Sequence, residues 1–481
     1  MALEVSLGTS SRLVALAILV GACPLFAANW YIRVGATGSN NGSSWANAFT
    51  AIPGTLIRGD TYYLAGGTYT GNVIIGSTVS GSTVTTLKKA NAADNSGDAG
   101  WDAAFASTQA VIQGSFRILD SYMIVDGVTG EGEFGHGIKI IQTTVASGNA
   151  VVNQDSGTSF VHLLHVEIEG PGMGYATGSS GFKNNNLSVT VKGNRYAYMY
   201  VHDMSQMGFT SVNAAGTSYP DYGALFEYNV IKNTGYNLAG QHGQAIQCGS
   251  GSGASTQSYW IIRNSVFHNT GGVATAMIAC LGYSTNQNFQ IRNNIFRNDN
   301  LSFDTDWIPF DNSKPAVSPG VIYFSSTSST AENILVANNT FYQLSRATVY
   351  FAGTNTNNTV INNLWMSSNF NIVTQGATGS YNDYYACFNI ISSGIYGVPY
   401  GETGQQGESS SPVVDAAAAD FRLIAGANAI GNGLNLSSVF TDDIVGTTRP
   451  SSGAWDIGAY QSTAGRVSAG PITRSGPISI Q

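Results

Sequence analysis

One short pattern recurs along this chain of 481 residues and constrains its fold more than any other feature. Apolar residues flank one or two asparagines, and a polar turn follows. The pattern occupies residues 226–231, 262–267, 291–296, 336–341 and 360–365. These copies end 36, 29, 45 and 24 residues apart, which fits stacked coils whose turns accept insertions. We therefore predict a solenoid in which the shortest interval approximates one bare coil.

Composition favours extended strands over helices. Charged residues make up only 10% of the chain, and 58 residues are glycine. Glycine, asparagine, serine and threonine form turns readily and helices poorly. The 43% of hydrophobic and 11% of aromatic residues are too many for a disordered chain. Neither the four strands per repeat of a propeller nor the regular leucines of a leucine-rich repeat are present, so a parallel β-solenoid is predicted.

A second strand follows in each central coil. Its triplets align at residues 246–248, 278–280, 322–324 and 349–351. Because strand side chains alternate between faces, the first and third residues of each triplet should point inward. Stacking at about 4.8 Å then places Cys248 on Cys280, followed by Phe324 and Phe351. That separation permits a disulfide, but parallel Cβ directions would strain it, so we expect two buried thiols.

Segments near both ends resemble a known superfamily. Residues 31–34, 44–49, 58–69, 420–423, 448–450 and 455–460 are similar to the opening and closing segments of secreted pectin-lyase-like proteins. The resemblance implies a right-handed parallel β-helix. It predicts a cap with first coils over residues 29–110, central coils over 111–400, a closing segment over 401–461 and a tail over 462–481. The superfamily holds lyases, glycoside hydrolases, epimerases, adhesins and viral spikes, so the fold alone leaves function open.

The N-terminus is typical of a secretory signal over residues 1–28. Arg12 precedes an apolar run at residues 13–20, and small residues follow up to Ala28. We expect cleavage after Ala27 or Ala28 and a secreted protein. The alternative is a lipobox at residues 20–23, which would leave lipid-modified Cys23 on a bacterial cell surface. The apolar run is too short to cross a bilayer, and no later segment is apolar enough.

Charge and cysteine content exclude two further classes. Lys and Arg total 20 against 28 Asp and Glu, and no basic block occurs, which argues against a nucleic-acid partner. After the signal only Cys248, Cys280 and Cys387 remain. They form neither a disulfide framework nor the paired spacing of a zinc site. We expect an extracellular glycan as partner, and the oligomeric state stays open.

The middle coils place titratable residues at one edge. A single outward column opens the turn before the aligned triplets: His202, Lys232, His268, Arg297 and Tyr342. The long turn after Ile231 adds His242. In a polysaccharide lyase, Lys232, His242 or His268 would abstract the proton next to a uronate carboxylate. Arg297 would then stabilise the developing negative charge.

The longest turn, after Phe296, offers further candidates. Trp307 and Phe310 would present apolar faces to sugar rings, and Arg346 from the next turn would join them in binding substrate. The same long turn contains three acidic residues, Asp304, Asp306 and Asp311. They could bind Ca²⁺ or supply the acid and base of a hydrolase. The alternative interpretation is that these acidic groups cap turns and that the basic groups are solvated.

Two other motifs favour structural roles. Glu227, Arg263 and Arg292 occupy one position on successive coils and predict a surface ion-pair ladder, although an arginine pair could also bind carboxylates. Residues 135–137, Gly-His-Gly, are similar to an element of β-helix polygalacturonases. The aspartate motifs that precede that element in the family are absent here.

Two functions of different class follow. The first is a secreted protein that acts on or binds extracellular polysaccharide, as a polysaccharide lyase or a glycoside hydrolase. The second is a non-catalytic surface or matrix protein, such as an adhesin, a glycan-binding module or a filament scaffold. An enzyme requires a base beside an acid or cation in a cleft, whereas a scaffold would leave these side chains in solvent.

Overall fold

A computed structural model describes most of the chain. The described residues are 27–143, 150–155, 157–172, 179–184, 191–212, 214–219, 221–235, 243–249, 256–270, 276–280, 285–298, 321–324, 330–344, 347–351, 354–367, 370–374, 377–380, 383–385 and 406–462. Strands dominate this part of the chain, and its two short helices are Ala92–Asn95 and Ala104–Ser107. None of its helices is long and apolar enough to cross a membrane. Residues 1–26, which hold the lipobox and most of the signal predicted over residues 1–28, lie outside it, and both stay predictions.

Three long parallel sheets run through the described residues. The first sheet has 12 strands: Asn29–Ile32, Thr61–Leu64, Thr85–Lys89, Met123–Asp126, Val161–Leu164, Asn194–Ala197, Ala224–Glu227, Ile261–Arg263, Gln290–Arg292, Leu335–Ala337, Asn358–Ile361 and Ala377–Ser380. The second sheet also has 12: Gly67–Thr70, Ala110–Gln113, Ile138–Ile141, Val166–Glu169, Tyr200–Met204, Val230–Thr234, Val266–His268, Ile295–Arg297, Thr340–Tyr342, Leu364–Met366, Asp383–Tyr385 and Gln406–Gly407.

The third sheet has 11 strands within the same residues: Thr55–Leu56, Val73–Ser77, Phe116–Ile118, Ala150–Gln154, Ser180–Asn184, Phe209–Val212, Ile246–Cys248, Ile278–Cys280, Ile322–Phe324, Ala347–Phe351 and Phe370–Thr374. A shorter parallel sheet lies between the third and the first: Thr256–Ser258, Thr285–Gln287, Thr330–Glu332 and Thr354–Thr356. Each full coil gives one strand to each of the three long sheets in turn. This is the right-handed parallel β-helix that the sequence predicted.

The asparagine pattern marks the corner between the first and second sheets. The first asparagine of each pair takes a left-handed backbone, with φ of 54° at Asn293 and 52° at Asn338, which asparagine tolerates better than most residues; Asn264, which precedes a serine, does the same with φ of 51°. The second is buried and forms a ladder. Asn339 Nδ2 donates to Ile291 O at 2.9 Å and to Asn363 Oδ1 at 3.0 Å. The repeated asparagines thus act as turn and ladder residues.

The interior follows the predicted register. Cys248 lies opposite Cys280, which lies opposite Phe324, and Phe324 lies opposite Phe351. All four side chains are buried. The expectation of two free thiols is wrong, because the sulfur atoms of Cys248 and Cys280 form a disulfide and the Cα atoms lie 4.5 Å apart. Adjacent coils bring the cysteines within bonding distance, and rotation about the side-chain bonds is enough to join them.

The closing segment packs along the side of the solenoid. An antiparallel hairpin of Val413–Asp415 and Asp420–Leu423 begins this packing. It joins an apolar cluster on the outer face of the second sheet that includes Val266, Ile295 and Leu364. Further on, the side chains of the left-handed asparagines bind the backbone of the segment. Asn264 donates to Asp443 O and Asn293 to Asp442 O, both at 2.8 Å.

Candidate functional site

The described residues include three of the predicted site residues: Lys232, His268 and Arg297. The other candidates lie outside the described residues and stay predictions: His242, Asp304, Asp306, Trp307, Phe310, Asp311 and Arg346. The site is therefore built from the outer face of the second sheet and the segments that pack on it.

The predicted outward column is confirmed in its register. Direct partners across successive strands are His202 with Lys232, Lys232 with His268, His268 with Arg297, and Arg297 with Tyr342. Neighbours in such a column are about 4.8 Å apart along the axis. The strip formed by Lys232, His268 and Arg297 thus spans three coils. We call it the cationic strip.

The alternative interpretation, in which the basic groups are solvated, is wrong for His268 and Arg297. His268 is only 6% exposed and Arg297 only 4%. Two distant segments of the chain cover them from opposite sides. Low exposure excludes water and strengthens electrostatic interactions at the strip.

The first cover is an extended turn at residues 127–137, where the later described coils have only one or two residues. An antiparallel bridge joins Glu131 and Phe134 near its tip. Between them, Glu133 Oε2 accepts a hydrogen bond from Lys232 Nζ at 2.8 Å and faces Tyr200 OH at 3.4 Å. The side chain of Glu133 is 5% exposed. A carboxylate from an early coil therefore reaches the middle of the solenoid.

The second cover is the hairpin of the closing segment. The Phe421 ring meets the Tyr342 ring at a centroid distance of 5.4 Å, and the guanidinium of Arg297 lies 5.9 Å from the centroid of the same Phe421 ring. This places an aromatic residue at the Arg297 end of the cationic strip. The strip is thus bounded by a carboxylate at one end and a phenyl ring at the other.

Burial sets the charge states along the strip. Desolvation, with the positive charges of Arg297 and Lys232, lowers the pKa of His268 to about 3. Desolvation also lowers the pKa of Arg297, to about 10, which leaves the guanidinium charged at neutral pH. The arrangement is a neutral imidazole between two cations. Such a site suits a ligand that carries negative charge next to a transferable proton.

A second polar group lies next along the same sheet face. The carboxylates of Glu167 and Glu169 and the ring of His202 place one ligand atom each within 4.8 Å of one another, an arrangement compatible with a cation such as Ca²⁺. Lys139 Nζ already binds both carboxylates, at 2.7 Å from Glu167 Oε1. A metal ion would have to replace that ammonium group.

Hydrogen bonds govern titration in this group. Burial opposes ionisation of Glu167, but hydrogen bonds from His202, Lys139 and Gln109 outweigh it and hold its pKa at about 2. Burial likewise disfavours the charged form of His202, yet hydrogen bonds to Asp203 and Glu167 raise its pKa. A raised pKa favours the protonated imidazole, whose two nitrogens both carry hydrogen and have no lone pair for a metal ion. The group therefore fits an internal ion-pair network better than a metal centre.

The other motifs prove structural. Arg263 Nη2 and Glu227 Oε2 are 2.6 Å apart, and Arg292 Nη1 lies 2.8 Å from Asp442 Oδ1, which confirms the ion-pair ladder. Its predicted surface position is wrong for Arg292 and Glu227, which are both buried. His136 of the Gly-His-Gly element is buried, with its Nε2 atom 3.0 Å from Tyr198 O, and desolvation lowers its pKa to about 4.

Sequence reasoning missed Glu133. Its turn ends in the Gly-His-Gly element, but that element does not include Glu133, and the residue lies 99 positions from Lys232. The sequence signal that could have found it is the length of its turn. Residues 127–137 form a long insertion at a corner that is short in every later described copy of the repeat. Long insertions in solenoid turns commonly form binding faces.

Comparisons with protein-family models and with curated protein sequences find no match. Among solved structures, pectate lyase Pel9A is similar at 15% identity and a TM-score of 0.39, covering 90% of this chain and 97% of that one. A mannuronic acid-specific polysaccharide family 6 lyase from human gut microbiota has 13% identity and a TM-score of 0.36, covering 73% and 86%. The Streptococcus pneumoniae surface protein and adhesin PfbA has 10% identity and a TM-score of 0.29, covering 72% and 91%. Similarity at this level carries no argument about activity.

Proposed function

We propose that this protein binds an acidic extracellular polysaccharide at the cationic strip and cleaves it by β-elimination. One observation supports the proposal above all others. Three adjacent coils present Lys232, His268 and Arg297 in direct register, with a neutral imidazole between two cations. A uronate needs both kinds of group, because its carboxylate must be neutralised while the neighbouring proton is removed.

The chemistry balances with the residues of the strip. His268 takes the proton next to the carboxylate, and the released electron pair forms a carbon–carbon double bond as the glycosidic carbon–oxygen bond breaks. The resulting imidazolium returns the proton to the departing oxygen. Lys232 and Arg297 stabilise the charge that builds on the carboxylate during the step. No part of this scheme is routed through a metal ion.

The low pKa of His268 in the free protein is compatible with this role. An imidazole with a pKa of about 3 is a weak proton acceptor at neutral pH. The charges of Arg297 and Lys232 add to desolvation in lowering this pKa, and a substrate carboxylate bound between them offsets both charges. Substrate binding would thus move the base towards the working pH, where general base catalysis is most effective.

Hydrolysis has less support among the described residues. A hydrolase of the usual kind needs two carboxyl groups about 5 to 9.5 Å apart. Glu133 is the carboxylate that contacts the strip, and Glu167 is held ionised by its own partners, so it would be a poor acid. The predicted aspartate pairs of the long turn, which lie outside the described residues, would have to supply the second group.

A non-catalytic glycan-binding or scaffold role is the second candidate. The observation that favours it is the burial of His268 and Arg297 under two covers. Both the lyase and the non-catalytic role assume that the protein is secreted. The Cys248–Cys280 disulfide supports it, because such bonds persist in oxidising compartments.

The deciding experiment is incubation of the purified protein with a panel of uronate and neutral polysaccharides. Ultraviolet absorbance reports the unsaturated product of elimination, and a reducing-end assay reports any cleavage. We expect both signals with at least one uronate polymer and neither with neutral polymers. Reducing ends without absorbance would establish hydrolysis instead, and binding without cleavage would support the non-catalytic role.

A further inference from the structure

Glu133 enters the cationic strip as a carboxylate without being part of the sheet. Its Oε2 atom lies 2.8 Å from Lys232 Nζ. Its negative charge also acts on the two other members of the strip, since it raises the pKa of both His268 and Arg297 against the effect of burial. One carboxylate therefore interacts with all three side chains that the proposed function assigns to a uronate.

The second oxygen of the same carboxylate accepts no hydrogen bond from the described residues. Glu133 Oε1 is buried, and no hydrogen-bond donor reaches it from the residues that the structure describes. A buried carboxylate oxygen usually accepts one or more hydrogen bonds, and lacking them costs free energy. Glu133 is thus held through one oxygen, by Lys232 and a longer hydrogen bond from the Tyr200 hydroxyl, with the other oxygen unsatisfied, which makes it a replaceable occupant.

The turn is anchored outside its tip. Gly130 O lies 2.7 Å from His165 Nδ1, and His136 O accepts from Gln109 Nε2 at 2.7 Å. Between these anchors, Gly132 and Gly135 have φ of 64° and 76°. Glycine adopts this left-handed region without the steric cost that a side chain imposes. A change of backbone within residues 131–135 would break the two hydrogen bonds between Glu131 and Phe134 but neither anchor.

We propose that Glu133 is a built-in competitor, which occupies the carboxylate position of the cationic strip in the free protein and is displaced by the carboxylate of an acidic sugar. The inference rests on the proposed function and extends it to the way in which substrate gains access. Displacement moves the tip of the turn away and uncovers Lys232. A neutral sugar cannot form an ion pair with Lys232 in place of Glu133, so Glu133 also selects acidic over neutral sugars.

The test compares the intact protein with Glu133→Gln, which keeps the shape of the side chain and removes its charge. Glu131→Gln on the same turn is the matched control. Calorimetric titration uses oligomers of polygalacturonate and of alginate, each beside its carboxyl-reduced counterpart. We expect Glu133→Gln to bind at least one acidic oligomer on the order of tenfold more tightly than the intact protein, a difference of about 1.4 kcal/mol. The control and all reduced oligomers should show no gain.

A second measurement does not depend on the polysaccharide. Acetate serves as a minimal carboxylate, and the NMR signal of the His268 ring reports its arrival. We expect saturable acetate binding at tens of millimolar in Glu133→Gln and much weaker binding in the intact protein. Circular dichroism and thermal melting confirm that the variant is folded.

The outcomes separate the two proposals. If folded Glu133→Gln takes up acetate no better than the intact protein, the competitor role is wrong whatever the polysaccharide results. If acetate enters the variant but neither protein binds or cleaves any acidic oligomer, the competitor role stands and the proposed function fails. Equal or weaker oligomer binding by Glu133→Gln, when the intact protein binds, would also overturn the competitor role.

Discussion

Asp442 of the closing segment lies 2.8 Å from Arg292 of the first sheet, 150 positions earlier in the chain. Its other oxygen faces Arg263 at 3.4 Å. Burial raises the pKa of Asp442, but the two guanidinium groups outweigh it and hold the pKa below its usual value. This carboxylate therefore fastens the closing segment to the row of arginines that it covers.

Replacement of Asp442 by Asn should loosen the closing segment. Removal of one partner leaves the buried charge of Arg292 uncompensated, which costs on the order of 3 kcal/mol. We expect a lower midpoint of denaturant unfolding and faster proteolysis within residues 406–462. Asp420→Asn removes an exposed pair with Arg422 and should change little. Equal proteolysis of the two variants would show that Asp442 does not hold the segment.

Replacement of His268 by Asn should abolish most elimination activity. Loss of a positioned general base typically lowers kcat by a factor of about 10² to 10⁴. His162→Asn is the control, because His162 lies on the outer face of the first sheet and its Nε2 atom is 3.2 Å from Gly193 O. The readout is absorbance of unsaturated product from the polymer identified in the panel. Retained activity in a folded His268→Asn protein would exclude His268 as the base.

Truncation of Asn339 to Ala should destabilise the solenoid. The amide of Asn339 donates to Ile291 O and Asn363 Oδ1, and its Oδ1 accepts from Asn294 N at 3.0 Å. Loss of these buried bonds leaves partners unsatisfied, so we expect a cost of about 2 to 4 kcal/mol. Asn153→Ala on the outer face of the third sheet is the control. Similar unfolding free energies for the two variants would contradict a stabilising ladder.

The disulfide should protect Cys248 and Cys280 from labelling. Under denaturing but non-reducing conditions we expect a thiol reagent to leave both unmodified, with modification of both after reduction. The sequence separation of 32 residues predicts about 3 to 4 kcal/mol of stabilisation from the restricted unfolded chain. Replacement of both residues by Ala, compared by denaturant unfolding, measures it. Labelling of either residue before reduction would restore the two-thiol interpretation.

Acid should weaken the protein through Glu167. Its pKa is about 2 in the folded state and roughly 4.3 in an unfolded chain. A lowered pKa contributes stability above the unfolded value, and this contribution is lost as pH falls from about 4.3 towards about 2. Glu167→Gln should remove on the order of 2 kcal/mol of stability at neutral pH and flatten the curve in that window.

Local patterns predicted the solenoid because a coil contacts only its neighbours. The asparagine pairs identified one corner, and the triplets at residues 246–248 and 278–280 identified the third sheet with the correct register. The register in turn placed Lys232, His268 and Arg297 in one column. Nearest-neighbour packing makes all of this readable from sequence, since equivalent positions of successive repeats must stack.

The bonding of the cysteines and the cover over the strip could not be read in the same way. Whether Cys248 and Cys280 join depends on side-chain rotation, which the register leaves open. The closing segment covers Arg292 because its residue Asp442 binds Arg292 and the left-handed Asn293. These partners lie 150 and 149 positions earlier in the chain. No repeat spacing encodes such a contact.

The sequence by itself thus determined the stacking, the inward columns and the order of outward side chains, because these follow from strand alternation and repetition. Only the tertiary structure decided that Glu133 lies on Lys232 and that Phe421 lies beside Arg297. Both contacts come from segments that leave the repeat and fold back along it. Such long-range packing depends on how the shape and charge of two surfaces match. A sequence pattern describes each surface by itself and does not show that the two will meet.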